Sequence, residues 1–223
     1  MKKIILALSL FIFYVNVFAQ RDELKTLCLK FEETILNTSN LHLPYTLTVA
    51  SALDTSVQIV PVDFYKSKNK YLIHMGAEQD IIHDETLLIV VNHDSRIIRM
   101  AVDSSNFTSN TVLVGNFSSI IDSSKSIATV FKDGKNEYTL TFSSDYIYSK
   151  VQFAFSKKTK SLLHIYAVFN EDSPSEFKYI DVVYSEPNTK WTPPLHFPNT
   201  EKYILKSNGR YIVQDAYDSY KMF

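Results

Sequence analysis

The chain has few of the residues that cross-link a fold or bend its backbone. Its 223 residues include one cysteine and four glycines. Because the only cysteine is Cys28, no disulfide can form within the chain, and stability has to come from packing. A free cysteine behaves as a small hydrophobe, so we expect Cys28 to face a core.

The chain also lacks an excess of charge of either sign. It has 23 basic and 24 acidic residues, which gives a formal net charge of −1. This balance argues against nucleic acid as a partner and against electrostatic docking on an anionic membrane. We therefore expect no nucleic-acid partner.

Catalytic motifs are missing as well. The sequence has no Gly-x-Ser-x-Gly elbow, phosphate loop, dinucleotide fingerprint or paired-cysteine motif. Acidic residues follow His83 and His93 directly, which would suit a metal or acid–base site. However, neighbouring residues of a strand point to opposite faces. His74 and His83 lie on neighbouring predicted strands and could meet across a hairpin, although a surface or turn position is the commoner explanation. We expect no enzyme activity, no catalytic residue, no metal site and no cofactor.

The N-terminus has the pattern of a secretory signal peptide. A basic head at residues 1–3 precedes an apolar run at residues 4–14, and small side chains precede a predicted cut after Ala19. We expect residues 1–19 to be removed and the remainder to be periplasmic or secreted, without lipid attachment at Cys28. No later apolar run approaches the roughly 20 residues that a membrane helix needs.

Residues 21–36 have the period of an amphipathic helix. Apolar side chains recur at intervals of three or four residues: Leu24, Leu27, Cys28, Phe31 and Ile35. Charged residues occupy the other side of the helix. The apolar side therefore has to be covered by another element.

From Tyr45 onward the period changes to two, which is typical of strands. Short polar turns separate the strands, so neighbours should be antiparallel and form a meander. The predicted strands are 45–50, 57–64, 71–75, 80–83, 86–91 and 96–102, then 127–131, 137–142, 150–155, 162–169 and 177–184, with a short helix at 112–121. The dipeptide Asp133-Gly134 is a strong hairpin signal.

Three stretches resemble the bacterial periplasmic lipoprotein-carrier family (LolA/LolB-like). They are Phe64–Tyr71, then Gln79–Val90 with the turn Asn92–Ser95, and Ile147–Phe155 with Leu163–Val168. The chain departs from the family pattern at three places. Ser67-Lys68 replaces a turn proline, Asp84-Glu85 replaces an Asp-Gly turn, and Lys66, Lys68 and Lys70 stand where a lid-closing arginine is expected.

The resemblance, with the order of the elements, implies an α+β fold. A long twisted antiparallel sheet of about ten to eleven strands would form a half-open barrel wrapped around the N-terminal amphipathic helix. Residues 20–186 would be the carrier-like domain. Residues 187–223 would be an aromatic-rich C-terminal extension that packs on it.

The resemblance also implies a non-catalytic periplasmic carrier, monomeric, that binds a lipid or lipoprotein acyl chain in an apolar concavity. Burial of an acyl chain contributes about 0.8 kcal/mol per methylene. The candidate cavity residues are Met75, Ile89, Val91, Ile98, Met100, Leu140, Phe142, Phe153 and Phe155. For any single one of these side chains, filling a solid core is the commoner explanation.

Two other interpretations remain open from the sequence. One is a structural or interaction protein of the cell envelope that keeps the fold without a cavity, its aromatic tail being the partner surface or a plug. The other is an outer-membrane protein, suggested by the terminal Phe223 with Tyr220 three residues earlier. The amphipathic helix and the scarcity of glycine disfavour the second.

Overall fold

The computed structural model describes residues 2–85, 87–102 and 117–223. The helices are α1 (Lys2–Asn37) and α2 (Phe117–Ser123), with single 3-10 turns at Thr200–Lys202 and Asp215–Tyr217. The strands are β1 (Asn40–Ser51), β2 (Val57–Ser67), β3 (Lys70–Met75), β4 (Gln79–Asp84), β5 (Leu87–Asn92), β6 (Ile97–Val102), β7 (Ser126–Lys132), β8 (Lys135–Thr141), β9 (Tyr148–Ser156), β10 (Leu162–Phe169), β11 (Phe177–Tyr184), β12 (Ile204–Ser207), β13 (Arg210–Val213) and β14 (Lys221–Met222).

Twelve of these strands form one open sheet. Its order is β14-β6-β5-β4-β3-β2-β1-β11-β10-β9-β8-β7, and β12 pairs with β13 separately. Strands joined by short connections are neighbours, as the meander predicted. The prediction of an α+β fold with a long antiparallel sheet after an N-terminal helix is confirmed. Strands β1–β11 match the predicted number, and the twelfth is β14, which runs parallel to β6.

The chain divides into two compact units. Unit 1 comprises Met1–Thr34, Leu47–Ile59 and Val114–Tyr184, and unit 2 comprises Ile35–Thr46, Val60–Leu113 and Ser185–Phe223. The aromatic tail is therefore part of unit 2. Strands β1 and β2 each contribute residues to both units.

The core of unit 1 contains the apolar side of α1. Leu24, Leu27, Cys28 and Phe31 are buried, in agreement with the helical period of the sequence. Burial raises the pKa of the Cys28 thiol far above its ordinary value, and the nearby Glu32 carboxylate raises it further. Cys28 is therefore an unreactive thiol packed in the core.

Unit 2 holds the C-terminal end of α1 through a buried lysine. The Lys66 ammonium donates to the carbonyl oxygens of Ile35 (2.7 Å) and Leu36 (2.5 Å). The last carbonyl groups of a helix have no partner within it, so the lysine satisfies them. Burial lowers the pKa of Lys66.

The predicted hairpin at Asp133-Gly134 is confirmed. Strands β7 and β8 pair from Ser126–Thr141 to Lys132–Lys135. Asp133 and Gly134 have φ values of 48° and 74°, the left-handed pair that a two-residue turn requires.

The helix predicted at 112–121 corresponds partly to α2, which spans Phe117–Ser123. Residues 112–116 of that prediction, and Thr86 at the start of another predicted strand, lie outside the described residues. Within the part of the chain that the structure describes, no helix has the length and apolar character needed to cross a membrane.

Candidate functional site

Tyr184 identifies the side of the unit 1 sheet that faces α1. Its buried ring lies edge-on to Phe31 of α1, with 5.2 Å between ring centroids. Alternate residues of a strand share a face, so Val182 points to the same side. Ile165 pairs with Val182 on one side and with Phe153 on the other, which extends this face across three strands. We call it the helix side of unit 1.

The two helices cover the helix side unevenly. Phe153 is buried, and the ring of Phe117 in α2 lies edge-on to it at 5.5 Å. In contrast, Ile165, Ile180 and Val182 are only half-buried. We call these three the apolar strip. Apolar side chains that remain partly open to water are favourable places for an apolar ligand.

A chain of aromatic rings lies at one end of unit 1. Phe142 stacks on Tyr146, with centroids 4.8 Å apart and planes 8° apart. Tyr148 lies 6.1 Å from Tyr146 and 5.0 Å from Phe169, and Phe169 lies 6.2 Å from Phe177. We call these five residues the aromatic chain. Their rings together present a wide apolar surface with a few hydroxyl groups.

A cavity of about 190 Å³ opens beside the aromatic chain. Its lining combines Val49, Leu53 and Phe177 with Ser51, Ser56, Gln58 and Glu176. Leu53 is 80% exposed. Small-molecule pockets usually measure roughly 300–1,000 Å³, so this cavity has room for only part of a ligand.

The apolar strip, the aromatic chain and this cavity all belong to unit 1. Ile165 of the strip and Phe169 of the aromatic chain both belong to β10. Phe169 contacts Phe177, which lines the cavity. By the alternation along β11, Phe177 lies on the same face as Val183, opposite Val182.

Three loops, 52–56, 142–147 and 170–176, form this end of unit 1, which we call the aromatic end. The Ala52 N–H donates to the Glu176 carbonyl at 2.8 Å. The side-chain amide of Asn170 donates to the carbonyls of Tyr146 (2.5 Å) and Tyr148 (3.1 Å). These bonds hold the loops together and fix the position of the aromatic chain.

Four of the predicted cavity residues lie in unit 1. Leu140, Phe153 and Phe155 are fully buried in its core. Phe142 is half-buried and belongs to the aromatic chain. Of these four residues, Phe142 is therefore the one that adjoins the candidate site.

The other five predicted residues lie in unit 2 on two sides of the sheet. Ile89, Val91 and Ile98 are buried, and with Met100 they belong to the cluster that contains Tyr203 and Ile204 of the tail. The structure therefore brings these four together, under the chain's own tail.

Met75 is on the opposite side of the unit 2 sheet. Along β3, Met75 lies on the same face as Tyr71. Tyr71 pairs with Lys66, and the Lys66 side chain reaches the end of α1. Ile89 pairs with Ile82, which pairs with Leu72 on the other side of β3. The nine residues thus do not line one surface, and contact of any of them with a ligand stays a prediction.

The predicted cavity residues include none of the apolar strip and, of the aromatic chain, only Phe142. The available signal was the period of two in 177–184, which places Ile180 and Val182 on one face, whereas the position of Ile165 beside them follows from the pairing of β10 with β11. The sequence pattern does not show which part of that face the helices leave open.

Unit 2 contains a buried polar cluster around Asp80. The carboxylate is 5% exposed and accepts hydrogen bonds from His74 Nδ1, from the Tyr203 hydroxyl and from His93 Nε2, the last at 3.2 Å. Tyr220 lies 3.1 Å from His93 Nδ1. Tyr203 and Tyr220 both belong to the tail, so the cluster joins the tail to β4 and to the turn after β5.

Asp80 stays ionised in this cluster. Burial pushes its pKa upward, but the hydrogen bonds from His74, Tyr203 and His93 outweigh burial and hold the pKa well below its usual range. Burial raises the pKa of the Tyr203 hydroxyl, and the bond to Asp80 raises it further, so Tyr203 remains a donor. The acceptors and donors of this cluster satisfy one another, which indicates a structural role.

The two histidines considered for a cross-hairpin pair do not meet. His74 pairs with Asp80 across β3 and β4, whereas His83 pairs with Tyr71 and stacks on its ring at 4.8 Å. The two imidazoles therefore lie on opposite sides of the sheet. Among the described residues, no group of three or more histidine, cysteine or acidic side chains is arranged to hold a metal ion.

Solved structures similar to this one include a LolA superfamily protein from Nitrosomonas europaea. It is 11% identical, with a TM-score of 0.37, over 78% of this chain and 96% of that one. LprF from Mycobacterium bovis is 7% identical, with a TM-score of 0.40, over 78% and 96%. The lipoprotein LppX from Mycobacterium tuberculosis is 12% identical, with a TM-score of 0.40, over 77% and 97%.

A LolA superfamily protein is thus among the solved structures to which this chain is similar. No protein-family model matches the chain, and no curated protein matches its sequence. Identities and TM-scores this low establish no shared ligand or activity.

Proposed function

We propose that the protein is a non-catalytic carrier of the cell envelope that binds the acyl chain of a lipid or lipoprotein. The supporting observation is the apolar strip: Ile165, Ile180 and Val182 face the helix side of unit 1 but remain half-buried. A hydrocarbon chain laid along them would cover apolar surface that the helices leave open. The periplasmic location belongs to the proposal and rests on the N-terminal pattern.

The chemistry of the surface suits a hydrocarbon chain better than a polar ligand. Each methylene removed from water contributes about 0.8 kcal/mol, so a chain that is only partly covered can still bind. The aromatic chain, at one end of unit 1, includes Tyr146, Tyr148 and the exposed Phe177. Rings with one apolar face and a hydroxyl edge suit the region where a chain meets its polar headgroup.

Two neighbouring valines of β11 give the sharpest test. Val182 belongs to the apolar strip, whereas Val183 is on the other face and is exposed. We expect Val182→Glu to weaken binding of a dansyl-labelled fatty acid at least tenfold, because the introduced carboxylate would be buried beside the acyl chain of the probe. Val183→Glu, the matched control, should bind the probe like the wild type.

The secreted protein should also be examined by native mass spectrometry before and after solvent extraction. A bound acyl species that is lost on extraction supports the proposal. Equal probe affinity for both valine variants, or no affinity of the wild-type protein for fatty acids and lipopeptides, would contradict it.

A further inference from the structure

The end of unit 1 remote from the aromatic end carries a cluster of lysines. Strand β8 begins there, at Lys135, and ends at Thr141 beside the aromatic end. The turn 133–134 and the loop 157–161 are joined by a hydrogen bond from the Lys157 N–H to the Gly134 carbonyl, 2.8 Å long. The lysines of this region are Lys132, Lys135, Lys157, Lys158 and Lys160. We call it the basic end.

The side chains of the basic end project into solvent from a tightly held backbone. All five lysines are exposed, and the side chain of Lys132 is 72% exposed. The left-handed residues of the β7–β8 turn fix one loop. In the other loop, the Lys160 N–H donates to the Ser156 carbonyl at 2.9 Å. The lysines are thus held together on two short, ordered tips.

Apolar side chains are exposed beside these lysines. Phe131 is 64% exposed, and Val130, its neighbour on the same strand, is also exposed. Asp133 is the only carboxylate in the two tips, and it lies 3.9 Å from Lys132 as an exposed pair. Such a pair contributes little and leaves the tip strongly positive.

The aromatic end has the opposite charge. Its three loops contain Asp54, Asp145, Glu171, Asp172 and Glu176 and no lysine or arginine. Hydrogen bonds from serine hydroxyls and backbone N–H groups lower the pKa of Asp54 and of Asp145, so both remain charged. The overall charge of −1 therefore conceals two ends of opposite sign.

We propose that the basic end is a docking site for an anionic phospholipid surface. Clusters of four to eight lysines attract anionic headgroups, and each contributes about fivefold in affinity. An exposed aromatic ring beside them can enter the interface between headgroups and acyl chains. Five exposed lysines with a single carboxylate among them match the charge of anionic headgroups, which favours a lipid surface as the occupant.

The test is flotation of the secreted protein with vesicles of phosphatidylcholine that contain about one-third phosphatidylglycerol. We expect binding that weakens with salt, and little binding to phosphatidylcholine alone. The variant Lys157→Glu/Lys158→Glu/Lys160→Glu should lose about a hundredfold or more in affinity. As a second variant, Phe131→Ser should bind more weakly while keeping the charge.

A matched control reverses three exposed lysines elsewhere: Lys30→Glu/Lys68→Glu/Lys190→Glu. This control has the same net charge as the first variant. The intact masses of the two purified variants should be equal, which checks that both begin at the same residue. Retained binding of this control supports a local site. Four outcomes would overturn the proposal. Both triple variants could lose binding equally, or the wild type could bind vesicles of phosphatidylcholine alone as well. Inorganic phosphate could displace the protein from the vesicles, or the lysines could mediate self-association without vesicle binding.

This surface is separate from the proposed acyl site. Probe binding by the first lysine variant should equal that of the wild type, since none of its lysines belongs to the apolar strip. Vesicle binding by Val182→Glu should likewise be unchanged. Failure of either proposal can therefore be recognised without reference to the other.

Discussion

In unit 2, apolar side chains on β4, β5 and β6 pack with residues of the chain's own tail, and Ile89 and Val91 are fully buried there. In unit 1, Ile180 and Val182 come from an equally regular strand, yet they remain half-buried beside two helices. Alternating strands thus supply apolar faces in both units. What differs is the element that covers the face, and that element decides whether the face is a closed core or stays partly exposed to water.

The method of attachment also differs between the two covers. The tail of unit 2 is held by a buried carboxylate, Asp80, in addition to apolar contacts. A buried ionised group is costly unless its partners are all in place, so it favours one specific arrangement of the tail. The three residues of the apolar strip are aliphatic, so they supply no polar anchor of this kind.

The largest expected effect comes from removing the anchor. We expect Asp80→Ala to lower the free energy of unfolding by about 3–5 kcal/mol, because His74, His93 and Tyr203 would lose their shared acceptor. Asp84→Ala is the control: its partly exposed ion pair with Lys70 should contribute at most about 1 kcal/mol. Urea unfolding of both variants measures the difference, and similar losses would contradict the role assigned to Asp80.

The same anchor predicts the pH dependence. The pKa of Asp80 is lower in the folded protein than the ordinary value of about 3.9. Its contribution to stability is therefore complete above that ordinary value and is lost as the pH falls toward the lower folded value. The stability difference between wild type and Asp80→Ala should stay constant near neutral pH and shrink only below about pH 4.

Two isoleucines test the difference in cover directly. Ile89→Ala should cost about 2–5 kcal/mol, because it leaves a cavity in a closed core. Ile180→Ala should cost about 1 kcal/mol, since the side chain is already half-open to water. Chemical denaturation reports both values. Equal costs would show that the apolar strip is as closed as the core of unit 2.

The smallest expected effect concerns a single hydroxyl. Tyr203→Phe keeps the buried ring and removes the donor to Asp80, so we expect a loss of about 1–2 kcal/mol. Tyr211→Phe, whose ring is only partly buried against the same cluster, is the control and should be close to neutral. If Tyr203→Phe lowers the free energy of unfolding no more than Tyr211→Phe does, the hydroxyl adds nothing to the anchor.

Much of the fold could be predicted from local patterns. The apolar period of 21–36 located the buried side of α1, and Asp133-Gly134 located a two-residue turn, because both signals depend on neighbours in sequence. The candidate site was harder. Leu140, Phe153 and Phe155 had the right residue types and the right face, but α1 and α2 belong to a closed core with them. Ile165 and Val182 have the same pattern without that cover.

The net charge illustrates the same limit. A balanced composition argued against docking on an anionic membrane, but the average says nothing about where the charges lie. Lys135 and Lys157 are separated in sequence and come together because β8 and β9 pair and the Lys157 N–H bonds to Gly134. The sequence alone determined the apolar side of α1, strands β1–β11, the turn at 133–134 and the absence of a disulfide, since each depends on residues close together or on simple counts. The tertiary structure alone decided which apolar face is covered and where charges of one sign gather, because both depend on contacts between segments far apart in the chain.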